Sequence, residues 1–135
     1  MACKNYNAEI SGHTVYVLQW PADKALEMQL RLLNVLGGAS LPFIFGKHKF
    51  GDITRLAQLD KPVSEVLEII KEFIYCARID GKQISPAEFN FMFSGDLMLA
   101  YKIFGFVCEA QYKDFFTEGL EIKEEIEQEV TEKQS

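Results

Sequence analysis

The sequence predicts a mainly α fold, a small α-helical domain of about four to five helices with an N-terminal β-hairpin. Three observations carry this. Val63, Val66, Leu67, Ile70, Phe73, Ile74 and Ala77 recur at helical spacing, with Ser64, Glu65, Glu68, Lys71, Glu72 and Tyr75 opposite. Near the start, Val15 and Val17 alternate with Tyr16 and Leu18 at the period of a strand. Between such runs stand breakers: Ser11-Gly12, Pro21, Gly37-Gly38, Pro62 and Asp80-Gly81.

Taken in order, "YNAEISGHTVYVLQW" is a hairpin over about residues 6–20 that turns at Ser11-Gly12-His13. Pro21 then opens a helix, because its missing N–H has no intrahelical partner in a first turn. That helix sets Asp23, Lys24, Glu27, Arg31 and Asn34 against Ala22, Ala25, Leu26, Leu33 and Leu36, and ends at Gly37-Gly38. Residues 39–59 show no sustained period and read as a structured loop with one short helix near Ile53–Leu59. In this loop Phe43, Phe45 and Phe50 form either a lid on the core or an apolar arm that reaches another chain. The amphipathic helix after Pro62 leads to a tight turn at Asp80-Gly81 and a short helix from Ser85-Pro86 to Phe93. Ser94 is the expected N-cap of the next helix, with Asp96 in its first turn.

That last helix is the unusual one. Residues 89–116 hold nine aromatic side chains, while Lys102, Gly105, Glu109 and Lys113 form one narrow polar stripe. A helix apolar on most of its circumference lies at the centre of its domain or at an interface. Residues 1–116 therefore read as one domain and 117–135 as an acidic C-terminal tail, helical or frayed, with Ile122, Ile126 and Val130 as a thin apolar stripe.

Charge follows the same division. Residues 1–116 carry 12 Lys/Arg against 13 Asp/Glu, and residues 117–135 carry 2 against 7. The densest positive cluster, Lys47-His48-Lys49, is too small to neutralise a run of phosphates, so no nucleic-acid partner is expected. No stretch approaches the roughly 18 uncharged apolar residues of a membrane helix, and the N-terminus lacks the apolar run of a signal peptide, so a soluble, unexported protein is expected. Cys3, Cys76 and Cys108 are odd in number and widely spaced, which reads as reduced thiols.

Catalytic patterns are missing. His13 and His48 have no second ligand at metal-binding spacing. Gly46-Lys47 lacks the earlier Gly and the following Ser/Thr of a phosphate loop. Nucleophile elbows and dinucleotide glycine patterns do not occur, and the carboxylates lie on helix faces read as solvated. The expectation is a binding or assembly protein, with no enzyme activity, cofactor or metal.

Over approximately residues 8–117 the order of pieces resembles the tail assembly chaperones of long-tailed bacteriophages. The residues that carry the resemblance are Lys24-Ala25-Leu26 and Arg31-Leu32-Leu33 in a glycine-terminated helix, Asp80-Gly81 ahead of Phe89 and Phe93, and Tyr101-Lys102. The most specific is the ending Glu109-Ala110-Gln111-Tyr112-Lys113-Asp114-Phe115-Phe116. Departures are Ser94-Gly95-Asp96, where a Gly-Arg pair is common, and Gln111-Tyr112-Lys113, where Asn-Phe-Gly is frequent.

The resemblance implies a non-catalytic protein of the host cytoplasm, absent from the mature virion. Such a protein self-associates and binds the helical tape measure protein until tail-tube subunits polymerise around it. It also implies that this chain is the short form, a frameshifted longer form recruiting the major tail protein. Rings beyond the needs of the core, namely Phe43, Phe45, Tyr101, Phe104, Tyr112, Phe115 and Phe116, are the expected self-association and client-binding residues. The competing reading is a small helical adaptor or regulator that binds a single folded partner.

Overall fold

The computed structural model describes residues 3–134, with side chains as far as Glu121. It is mainly α with an N-terminal antiparallel hairpin, as the sequence predicts. Strands β1 (Asn5–Ile10) and β2 (His13–Leu18) pair in the register Asn5 to Leu18 through Ile10 to His13. The connection is a two-residue turn with both φ angles positive, Ser11 at 49° and Gly12 at 83°. This is the geometry that matches the right-handed twist of the flanking strands.

The hairpin is half of the sheet. Asp80 and Gly81 repeat the same turn, with φ of 53° and 82°, between the two-residue strands β3 (Arg78–Ile79) and β4 (Lys82–Gln83). β3 pairs with β2, Val15 to Ile79 and Tyr16 to Arg78, so the sheet runs in the order β1-β2-β3-β4. Strands of two residues are too short to carry a periodic signal, and a partner more than 60 residues away leaves no local trace.

Asp80 ties the two turns together. Its carboxylate accepts from the Thr14 N–H at 3.0 Å and lies 2.8 Å from Nδ1 of His13, while its own N–H donates to the Thr14 carbonyl. The His13 contact and the Thr14 N–H hold the carboxyl below its usual 3.8. A depressed folded-state pKa means that the stabilisation is complete above the unfolded value and is lost as pH falls through the folded one. The unfolding-midpoint gap between the wild-type chain and Asp80→Asn should therefore be open at neutral pH, narrow below about pH 4 and close in stronger acid, as read by thermal melts across pH.

Helix α1 (Ala22–Leu36) buries Met28, Gln29, Leu32 and Leu36. Its inward face is thus rotated from the one expected: of that set Leu36 is buried, Ala25 and Leu33 are half-buried and Ala22 and Leu26 are exposed, while Arg31 reaches across to Glu68 and Glu72. Residues 37–59 hold more regular structure than one short helix. A 3₁₀ turn (Gly37–Ser40) runs into α2 (Leu41–Ile44), and α3 (Phe50–Arg55) runs into a second 3₁₀ turn (Leu56–Gln58). Elements of four to six residues fall below the window in which periodicity is visible.

Helix α4 (Val63–Cys76) buries Val66, Ile69, Ile70, Phe73 and Ile74. Helix α5 (Pro86–Phe93) starts on a capping box in which the Ser85 hydroxyl accepts from the Glu88 N–H and the Glu88 carboxylate accepts from the Ser85 N–H. Helix α6 (Leu97–Gln134) begins two residues later than expected, capped by Asp96 instead of Ser94. The Asp96 carboxylate accepts from the Leu99 N–H at 3.3 Å, whereas the Ser94 hydroxyl turns back to the Asn90 carbonyl at the end of α5. The α6 backbone continues across residues 116 and 117. The Ile122, Ile126 and Val130 stripe lies outside the described side chains.

α6 is the core of the domain. Leu99, Ile103, Phe104, Val107, Cys108, Ala110 and Tyr112 are buried in one cluster with Val15 and Val17 of β2, Leu32 of α1, Phe43 of α2 and Phe73 of α4. The aromatic chain runs Trp20 to Phe73 at 5.3 Å, Phe73 to Phe104 at 5.7 Å and Phe104 to Phe43 at 5.1 Å. Gly105, expected in the wet stripe, is buried instead: a Cβ there would sit 2.9 Å from Cε1 of His48, so the missing side chain lets the loop ring pack on the helix.

Candidate functional site

The seven rings singled out by sequence do not form one patch. Phe43, Phe104 and Tyr112 are buried and belong to the core, which corrects their expected place at a surface. Tyr112 also donates its hydroxyl to the Ala25 carbonyl at 2.7 Å, and burial raises its pKa. The Phe43 half of the loop is accordingly a lid, although Phe50 of the same loop points outward. Phe45 is half-buried at the end of α2. Phe115 is exposed and meets the half-buried Phe116 edge-on at 5.2 Å. Tyr101 lines an apolar groove.

That groove has a volume of about 200 Å³ and lies between α3, α4 and α6. The apolar arc of α4 is wider than its neighbours cover. Ile70 and Val66 face inward, whereas Val63 and Leu67, one turn apart, stay 76% and 46% exposed and form one wall. Ile53, Leu56 and Ala57 form the other wall, Tyr101 comes from α6, and Lys61 supplies an ammonium. With no carboxylate, imidazole or thiol in its lining, the groove is suited to burying apolar side chains rather than to moving protons.

Sequence reasoning placed Val63 and Leu67 on the buried stripe of α4. The available signal was the breadth of that stripe, since its seven positions, with Ile69 and Cys76 also apolar, exceed the seam that one neighbouring helix covers. Phe91 and Leu97, at 89% and 69% exposure, were also unforeseen as surface residues.

A second cleft, of about 340 Å³, is lined by Glu9, Ser11, His48, Lys102, Gly105 and Glu109 among others. His48 stacks on Phe43 with ring centroids 4.6 Å apart, and burial lowers its pKa against the opposing pull of Asp52, so its imidazole is neutral near pH 7. Burial pushes the Cys76 thiol up to about 11 and raises that of Cys108 well above its usual value, so both are inert as nucleophiles. Among the described residues no group of three His, Cys, Asp or Glu is placed to hold a metal ion. No helix there is long and apolar enough to cross a membrane.

A family model described as phage tail assembly chaperone protein, TAC, matches residues 11–122. The chain belongs to the phage tail assembly chaperone family. The match takes in every residue of the apolar groove, from Ile53 to Tyr101, and the whole aromatic core of this tail assembly chaperone. Comparisons with curated proteins and with solved structures find no match.

Proposed function

We propose that this tail assembly chaperone acts without catalysis, binding the helical tape measure protein in the host cytoplasm until tail-tube subunits polymerise around it, and is absent from the mature virion. The groove walled by Val63, Leu67 and Tyr101 is the observation that supports the reading. A helical client lays apolar side chains at i, i+3 and i+4 into such a groove, and it is released without breaking any covalent bond. A groove of this size holds only one or two client side chains, so each copy binds weakly and repeated copies along a long client supply avidity. A longer form of the chain recruits the major tail protein in the same scheme.

Co-expression with the tape measure protein tests this. The wild-type chain should co-purify with it, and Leu67→Glu, which sets a charge in the groove at an exposed position, should cut recovery at least about fivefold with the fold unchanged by circular dichroism. Failure of both the short and the extended wild-type forms to co-purify would sink the proposal. A stable 1:1 complex with one folded partner, read by size-exclusion chromatography with light scattering, would establish the adaptor reading instead.

A further inference from the structure

The two edges of the sheet are unlike. β4 is two residues long, both exposed, and carries Lys82, which makes it a poor template for another strand. β1, at the other edge, is six residues long and holds neither Lys nor Pro. Its hydrogen-bonding parity follows from one contact: the Gln19 N–H donates to the Lys4 carbonyl at 2.9 Å. In an antiparallel ladder the bonded pairs alternate, so Tyr6, Ala8 and Ile10 turn their amides and carbonyls toward β2. Those of Asn5, Asn7 and Glu9 point away, toward no backbone partner among the described residues, and the three side chains are exposed.

We propose that β1 is a self-pairing edge: a second copy of this chain docks antiparallel along it about a two-fold axis, making one continuous eight-stranded sheet. A second copy is the occupant because β1 is self-complementary in one register. Outward-facing positions must meet one another, so odd residues oppose odd residues. Centring the axis on Asn7 sets Asn7 opposite the partner's Asn7 and Asn5 opposite the partner's Glu9, an amide beside a carboxylate on each side. On the inner face Tyr6 then meets the partner's Ala8, large against small. Sliding two residues either way loses one of the three outward pairs, and sliding four toward the turn opposes the two Glu9 carboxylates. The centred register also brings the partner's Lys4 opposite Ile10, at the cleft walled by Glu9 and Glu109. β1 lies ahead of the residues that the family model matches, so the pairing is inferred from this chain's own strand.

Amide hydrogen exchange on the full chain, resolved by residue and run across a concentration series, tests the pairing directly. The Asn5, Asn7 and Glu9 amides should exchange at least about tenfold more slowly at high concentration, while the Tyr6 and Ala8 amides, already bonded to β2, change little. Asn7→Pro removes an outward N–H and no bond to β2, and should abolish that protection at Asn5 and Glu9 and weaken self-association at least about tenfold by sedimentation. Asn7→Lys leaves the backbone intact while opposing two ammoniums, and should act in the same direction even if the proline variant misfolds. Asn5→Lys, facing the partner's Glu9, should tighten association, and Asn5→Glu should weaken it. Exchange at the three amides that is independent of concentration, or full protection retained in Asn7→Lys, would overturn the proposal. Neither outcome depends on whether the groove binds a client.

Discussion

Phe104→Ala is expected to cost about 3–5 kcal/mol of folding stability, whereas Phe115→Ala should cost less than about 1 kcal/mol. Both residues lie on α6 and are indistinguishable by composition. Phe104 is fully buried between the Phe43 and Phe73 rings, 5.1 and 5.7 Å away, so truncation leaves a cavity inside a cluster that cannot collapse around one helix. Phe115 is 55% exposed and loses little but its edge contact with Phe116. Since a domain of this kind has a total stability of roughly 5–15 kcal/mol, the first change is expected to leave a marginal fold and the second a normal one. Urea unfolding followed by far-ultraviolet circular dichroism separates them. Equal effects would mean that the aromatic rings of α6 are not partitioned between core and surface as described.

Gln111→Leu is expected to cost roughly 2–3 kcal/mol despite replacing a polar side chain by an apolar one of similar size. Gln111 is buried, and it ties the end of the hairpin to α6. Its side-chain oxygen accepts from the Trp20 N–H at 3.0 Å, and its amide nitrogen donates to the Leu18 carbonyl at 3.2 Å and toward the Cys76 sulfur at 3.6 Å. Gln19 reciprocates from the strand side, donating to the Ala110 carbonyl at 3.0 Å. The leucine fills the space but leaves the half-buried Trp20 N–H and the Leu18 carbonyl without their partner, and a polar group left unsatisfied costs more than a made hydrogen bond gains. Urea unfolding of Gln111→Leu gives the stability loss, and hydrogen exchange at Trp20 should show faster opening of the segment between β2 and α1. A variant as stable as wild type would show that water replaces Gln111 there at no cost.

These two positions also show how far the sequence could be read. Gln111 sits at a place where the resemblance to tail assembly chaperones has an asparagine, and nothing local distinguishes an amide that bridges to a strand 93 residues earlier from one that faces solvent. The groove was legible only as excess width of the α4 stripe. Whether Val63 and Leu67 are covered depends on where α3 and its following turn stop, and those elements are too short to announce themselves. Gly105 looked polar by position and is in fact a contact, because the spacing of a helix face says nothing about a histidine arriving from another element.

By itself the sequence determined the class of fold, the hairpin, the α4 helix and the short helix of Pro86–Phe93. These rest on interactions within a few residues: period, a proline in the first helical turn and the Ser-Gly and Asp-Gly breakers. The tertiary structure alone decided which aromatic rings are core and which are surface, that two more strands extend the hairpin, and that a groove stays open beside Tyr101. Burial is a property of what comes from elsewhere in the chain to cover a side chain, and local spacing carries no record of it.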